Sequence, residues 1–242
     1  MQSTNIKRMD IFGKAVLDYQ NGNLPEDIIT YSSLDEEALI PTSYLFRSFK
    51  EMPEIEQKAL QSCKGDVLDI GCGAGSHSLY LQEKGHAVVA LDNSKGAIET
   101  CRLRGVKHTV HSNILDYSGQ KFDTLLLLMN GIGLAGNLAD LSQFLSHLKL
   151  LLRETGQILL DSSDIIYMFD PDEDGGYWIP AKEHYYGEVE FTMHYKDLKG
   201  IPFKWLYIDF NTLQLNTSSI GLSCELVSEG EHYDYLARLT LA

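Results

Sequence analysis

No stretch of this chain is apolar for long enough to cross a bilayer. The longest aliphatic run, Leu125 to Met129, falls far short of the roughly 20 residues that a spanning helix needs. The segment Met1 to Lys14 has no apolar core of the secretory type. Cysteine is scarce. Cys63, Cys72, Cys101 and Cys224 are scattered without metal-ligand spacing, which suits buried thiols in a reducing, cytoplasmic setting. Positive charge is in deficit: 20 Lys and Arg stand against 34 Asp and Glu, a net charge of −14 at pH 7. No Lys/Arg cluster offsets it locally, and a phosphate backbone would be repelled. Neither nucleic acid nor membrane is therefore an expected partner. There is no internal repeat or low-complexity tract.

What the chain does have is a buried-strand pattern that runs into glycines. Val67, Leu68 and Ile70 form a short apolar run suited to a strand covered on both faces. Gly71, Gly73 and Gly75 follow, and then a helix from Ser76 to Lys84 that stops at Gly85. Without a Cβ, such a loop can lie directly against a ligand, and the helix turns its free N–H groups towards it. A dinucleotide fingerprint would need a third glycine where Ser76 stands.

From Asp66 onward, strands and helices alternate. Strands are expected at Val67–Ile70, Ala87–Leu91, Lys107–His111, Phe122–Met129 and Gln157–Asp161. Before the last lies an amphipathic helix carrying Leu141, Phe144, Leu145, Leu148 and Leu152, with Asn137 as N-cap and Gly156 after its end. This rhythm predicts an α/β fold, a Rossmann-like doubly wound sheet with helices on both faces. Residues 1–60 read as a helical cap, with helices near Asp10–Tyr19, Ser43–Phe49 and Pro53–Cys63 and no strand-like alternation. Residues 61–162 form the core. Residues 163–204 read as a lid insertion in which Val189, Phe191, Met193 and Tyr195 alternate with polar neighbours, and Phe203–Asp209 returns as a hairpin partner. Residues 205–242 add a helix and two closing strands, all within one domain.

In an open α/β sheet, ligands sit beyond the carboxyl ends of the strands. Asp92 ends the second strand, and a carboxylate there can accept from both hydroxyls of a ribose. Asn113 and Ile114 end the third and offer an acceptor and an N–H to an adenine edge. Asn113 is equally suited to capping a turn. Met129, Asn130 and Gly131 end the fourth, where the reacting groups would pass. Asp92 alone would also suit NAD.

The string Val67-Leu-Asp-Ile-Gly-Cys-Gly-Ala-Gly75 resembles motif I of the class I S-adenosylmethionine-dependent methyltransferases. The resemblance covers residues 64–162 and more loosely the tail. It implies that the last strand of a mostly parallel sheet runs antiparallel. It also implies that Asp69, Gly71, Cys72, Gly73 and Gly75 surround the methionine part of the cofactor S-adenosyl-L-methionine, and that Asp92 with Asn93 holds the ribose. Asn113 stands where the family usually has Asp. Cys72 itself reads as a small buried residue rather than a nucleophile.

Methyl transfer from a sulfonium needs chiefly positioning, so no obligatory catalytic residue is expected. Tyr44, Arg47, Asp164, Tyr185 and His194 are the candidates for touching a substrate, and Tyr177, Trp178 and Tyr186 stand near them in sequence. Asn130-Gly131-Ile132-Gly133 lacks the Asn-Pro-Pro-Tyr type of motif of amino-methylating DNA enzymes. The expectation is therefore a methyltransferase acting on a small molecule. Its rivals are a cofactor-binding module without turnover, an NAD-dependent oxidoreductase and a methyltransferase acting on a protein side chain. No metal is expected. Asp170, Asp172, Asp174 and Gly175 match the first half of a calcium loop, but Ala181 replaces its final bidentate Glu.

Overall fold

A computed structural model describes residues 9–172, 176–179 and 184–242. Helix α1 (Ile11–Asn21) is followed by strands β1 (Ile28–Ser32) and β2 (Glu37–Ile40), and by helix α2 (Glu54–Ser62). The core runs β3 (Val67–Ile70), α3 (Ser76–Glu83), β4 (Val88–Asp92), α4 (Lys95–Arg104), β5 (Thr109–His111), β6 (Phe122–Leu127), α5 (Leu138–Leu150) and β7 (Leu152–Ser163). Strands β8 (Glu188–Tyr195), β9 (Leu198–Lys199) and β10 (Phe203–Leu206) come next. Helix α6 (Phe210–Ser219) and strands β11 (Leu222–Glu229) and β12 (Asp234–Leu241) close the chain.

The main sheet has seven strands in the order β11-β12-β7-β6-β3-β4-β5. Strands β3 to β7 are parallel, while β12 runs antiparallel between β7 and β11. This is the expected Rossmann-like α/β sheet with its antiparallel closing strand. The strand order reverses between β3 and β6, so the ligand crevice opens at their carboxyl ends. Every residue of β3 is buried, as its apolar run demands. The large core cluster joins Leu68, Ile70, Leu125, Leu127, Ile158 and Leu160 to Leu141, Phe144, Leu145 and Leu148 of α5.

Two expectations need correction. Residues 1–60 are not wholly helical: β1 and β2 form an antiparallel hairpin, and β1 pairs with β8. With β10 these strands build a second sheet, β10-β8-β1-β2. Ile28-Ile29-Thr30-Tyr31 is rich in β-branched and aromatic residues. It is too short to alternate visibly, and its partner β8 is remote in sequence, so tertiary pairing decides the strand. The amphipathic helix also ends earlier than its periodicity suggests. Leu152 already belongs to β7 and pairs with Phe122, and Gly156 sits inside that strand. Leu is apolar at helical and strand spacing alike, so the pattern does not mark the boundary.

Among the described residues, no helix is long and apolar enough to cross a membrane. Among them, too, no group of three or more His, Cys, Asp and Glu is placed to hold a metal ion. Asp174, Gly175 and Ala181 of the calcium-loop comparison lie outside the described residues.

Candidate functional site

The glycine loop closes the end of β3. Gly71, Gly73 and Gly75 have φ of 73°, 54° and 83°, in the left-handed region that a side chain strains to adopt. A Cβ on Gly75 would lie 2.8 Å from Cys101 Sγ, so this position admits no larger residue without displacement. The Gly71 and Cys72 N–H groups donate to the Leu91 carbonyl at 2.8 and 3.1 Å, pinning the loop to β4. Cys72 is buried, with its Sγ 3.7 Å from Cys101 Sγ.

Asp69 is buried at the base of the loop. It accepts from Ser78 Oγ at 2.6 Å, which ties the strand to α3. Burial pushes its carboxyl up, against the opposing pull of His77 and Ser78. Asp92 accepts from the Gly73 N–H at 3.0 Å and the Ser94 N–H at 2.8 Å. Burial raises its carboxyl to about 6, although those two backbone donors pull it down. It has no ion-pair partner among the described residues, so spare lone pairs remain for neutral donors such as a ribose diol. Asn93 is exposed, and its carbonyl accepts from His111 Nε2 at 3.1 Å. Asn113 caps the short turn Ile114–Asp116, with its side chain accepting from the Leu115 N–H at 2.9 Å. Part of its acceptor capacity is therefore already used.

The chain beyond β6 is held in an unusual shape. Met129 and Asn130 both have positive φ, 64° and 55°. Such strain persists only where surrounding contacts over-determine it. Here they do. Asp161 accepts from the Met129 N–H at 3.1 Å and the Gly131 N–H at 3.2 Å. Asn130 accepts from Ser162 Oγ at 2.9 Å and donates to the Leu206 carbonyl at 3.2 Å. Burial raises the Asp161 carboxyl to about 7. Met129 is left partly exposed at the crevice.

Helix α1 covers the loop from above. Asp10 caps α1 through the Gly13 N–H at 2.9 Å, and also accepts from Ser94 Oγ and the Gly96 N–H at 2.9 Å each. One carboxylate thus serves the amino ends of α1 and α4. The Phe12 ring lies 3.4 Å from the position of a Cβ on Gly73.

The substrate candidates scatter. Arg47 is a correction: it is buried, forks onto Glu56 with one contact of 2.7 Å, and stacks 4.0 Å above the Tyr44 ring. Glu56 also meets His77 Nε2 at 2.8 Å. Burial pushes the Glu56 carboxyl up, but His77 and Arg47 outweigh it and hold it below the ordinary value. A guanidinium so engaged is not offered to a substrate. His194 stands apart from the other candidates. Strand alternation turns it away from buried Tyr195 to the other face of the second sheet, where it meets the Tyr31 ring at 4.7 Å. Asp164 accepts from the Ile166 N–H at 2.9 Å and from Tyr186 Oη at 2.7 Å. The Tyr185 hydroxyl donates to Asp209 at 2.6 Å and accepts from the Asp209 N–H at 3.0 Å. Trp178 is exposed. Asp10, Phe12, Glu56 and Asp161 were not singled out from the sequence. Only Asp161 carries a signal that could have found it, as the acid that ends a core strand.

Comparison with known proteins identifies the family. Residues 67–156 match the model of a methyltransferase domain family. An S-adenosylmethionine-dependent methyltransferase of Bacteroides fragilis, solved with S-adenosyl-L-homocysteine, is 44% identical. The alignment covers 99% of this chain and 100% of that one, with a TM-score of 0.89. The CcbJ methyltransferase of Streptomyces caelestis shares the fold at 14% identity and a TM-score of 0.61, over 79% of this chain and 90% of its own. A 2-heptyl-1-hydroxyquinolin-4(1H)-one methyltransferase of Mycobacteroides abscessus is 38% identical over 71 residues. That match takes in 26% of this chain and 31% of the relative's length. With near-complete coverage at 44% identity, the chain belongs to the S-adenosylmethionine-dependent methyltransferases.

Proposed function

We propose that this chain binds S-adenosyl-L-methionine in the crevice above β3 and β4 and methylates a small-molecule acceptor. The observation that carries the reading is the coupling of Asp92 to Gly73. A buried carboxylate with no ion-pair partner among the described residues sits against a glycine cradle, where a ribose and an amino-acid tail would lie together. When bound, the cofactor supplies an activated methyl group on a sulfonium.

The chain's own residues bind and orient. Asp69, Gly71, Cys72, Gly73 and Gly75 form the cradle. Asp92 accepts from the ribose, with Asn93 beside it, and Asn113 with Ile114 borders the adenine. Met129, Asn130 and Gly131, held by Asp161 and Ser162, border the reacting centre. Residues 1–60 and 163–204 act as lids on a core of 61–162 closed by 205–242, all one domain. Tyr44, Asp164 and Tyr185 act by ordering those lids.

The small acceptor is favoured by the net charge of −14 and by the enclosure that α1 and the second sheet provide. The Mycobacteroides abscessus relative is named for a small acceptor of this kind. The same charge disfavours nucleic acid, and the cysteine usage suits a cytoplasmic protein. Family membership removes the basis for the NAD-dependent alternative. The test is incubation with labelled S-adenosylmethionine and a small-molecule library, read by mass spectrometry. Methylated small acceptors are expected. Label found only on protein would overturn the choice of acceptor.

A further inference from the structure

The inner face of the second sheet carries a connected aromatic run. Phe203 pairs opposite Phe191, with ring centroids 6.1 Å apart. Trp205 meets Phe203 edge-on at 6.1 Å, and Tyr207 lies 6.4 Å from Phe191. All four are half-buried. The strands that carry the run meet the core at two places. At one, Trp205 lies on the turn after β6, where a Cβ on Gly133 would fall 2.1 Å from the indole Nε1. Two residues along β8 from Phe191, Met193 packs, as Phe12 does, against the cluster that holds Ala74 of the glycine loop. Phe191 and Phe203 thus lie on strands whose neighbouring residues, Met193 and Trp205, pack against the glycine-loop cluster and against the turn that follows Met129–Asn130.

Alternation keeps charge off this face. Glu188, Glu190 and Lys204 interleave with Val189, Phe191, Phe203 and Trp205, and so occupy the opposite side. Among the described residues, Thr30 and Ser32 of β1 share this face with Met193 and Phe191, and the Thr30 hydroxyl is already given to the Ala38 carbonyl; the run itself adds only the Tyr207 hydroxyl and the Trp205 indole N–H. A polyhydroxylated sugar could lay only its C–H face on this wall, and its hydroxyls would have to be satisfied elsewhere. A charged peptide would gain no counter-ion from Glu188, Glu190 or Lys204, which alternate onto the other face. A flat apolar ring would stack on it favourably.

We infer that Phe191, Phe203 and Trp205 form the acceptor-binding wall, and that it takes an uncharged aromatic ring bearing the atom to be methylated. This rests on the methyltransferase reading and narrows its substrate class. The wall positions the ring and takes no part in proton transfer.

The test is calorimetry on the full chain saturated with S-adenosylhomocysteine, titrated separately with 2-naphthol, D-glucosamine and a lysine-rich hexapeptide. The 2-naphthol should bind most tightly. Phe191→Ala and the volume-sparing Phe191→Leu should each weaken it about tenfold through the lost ring contact. Both variants should keep wild-type affinity for S-adenosylhomocysteine, and Glu190→Gln, on the opposite face, should change neither ligand. Tighter binding of glucosamine or the peptide, or unchanged naphthol binding in both Phe191 variants, would overturn the inference. Normal S-adenosylhomocysteine binding without naphthol uptake would sink this inference alone. Failure to bind S-adenosylhomocysteine at all would sink the methyltransferase reading beneath it.

Discussion

Asp92 accepts the Gly73 N–H at 3.0 Å, so the acid that ends β4 and the glycine loop that ends β3 form one unit. A change in either residue is felt by the other. Gly73→Val places a branched side chain at φ 54°, with its Cβ 3.4 Å from the Phe12 ring. The expected outcome is loss of measurable S-adenosylhomocysteine binding in calorimetry, in a protein that still unfolds cooperatively. A well-folded variant with wild-type affinity would remove the loop from the site.

The Arg47–Glu56–His77 cluster is structural, and its energetics can be measured. Removing one partner of a buried ion pair leaves an uncompensated charge, at about 3 kcal/mol or more. Glu56→Gln should therefore lower the melting temperature by on the order of 10 °C. Adding Arg47→Met should recover part of that loss, because the stranded charge goes with it. A Glu56→Gln protein that melts with the wild type would show that the network is not buried as described.

Acidity should act on stability and on affinity in opposite directions. Burial raises the carboxyls of Asp92 to about 6 and Asp161 to about 7, above the unfolded carboxylate value of about 3.9. Between pH 4 and 7 the folded chain then binds more protons at these groups than the unfolded one. Their contribution to stability falls as pH rises through that window. Melting temperatures should rise from pH 8 to pH 5.5, and Asp161→Asn should flatten the trend. Cofactor affinity should move the other way: it needs the Asp92 carboxylate as acceptor and should weaken as pH drops through about 6. An affinity independent of pH from 5 to 8 would count against Asp92 as the ribose acceptor.

The main sheet was legible because its strands are short apolar runs, each closed by a glycine, an acid or an amide at the ligand end. Gly73 and Asp92 are singled out by their places at strand ends, and Asp69 by the resemblance of its string to motif I. The second sheet was half legible: β8 and β10 alternate cleanly, while β1 and β2 owe their existence to β8, far away in sequence. Long-range pairing also hid Asp10, whose capping of two helices depends on how α1 crosses α4. Arg47 looked available because a sequence shows charge but not burial. Its partner Glu56 lies on the inner face of α2. The aromatics that crowd the insertion in sequence, Tyr185 and Tyr186, spend their hydroxyls on Asp209 and Asp164. The aromatic wall comes instead from period-two positions whose common face appears only when the hairpin pairs.

The cradle of Gly71, Gly73, Gly75 and Asp92 is the proposed seat of S-adenosylmethionine. The most direct test is a thermal-shift comparison of S-adenosylhomocysteine with NAD, on the wild type and on Asp92→Ala. A ligand at about 100 times its dissociation constant stabilises the fold by roughly 2.7 kcal/mol, or about 5–10 °C for a domain of this size. That shift is expected for S-adenosylhomocysteine with the wild type, with its loss or marked reduction in Asp92→Ala, and none with NAD. An equal shift in Asp92→Ala, or a shift with NAD instead, would contradict that assignment.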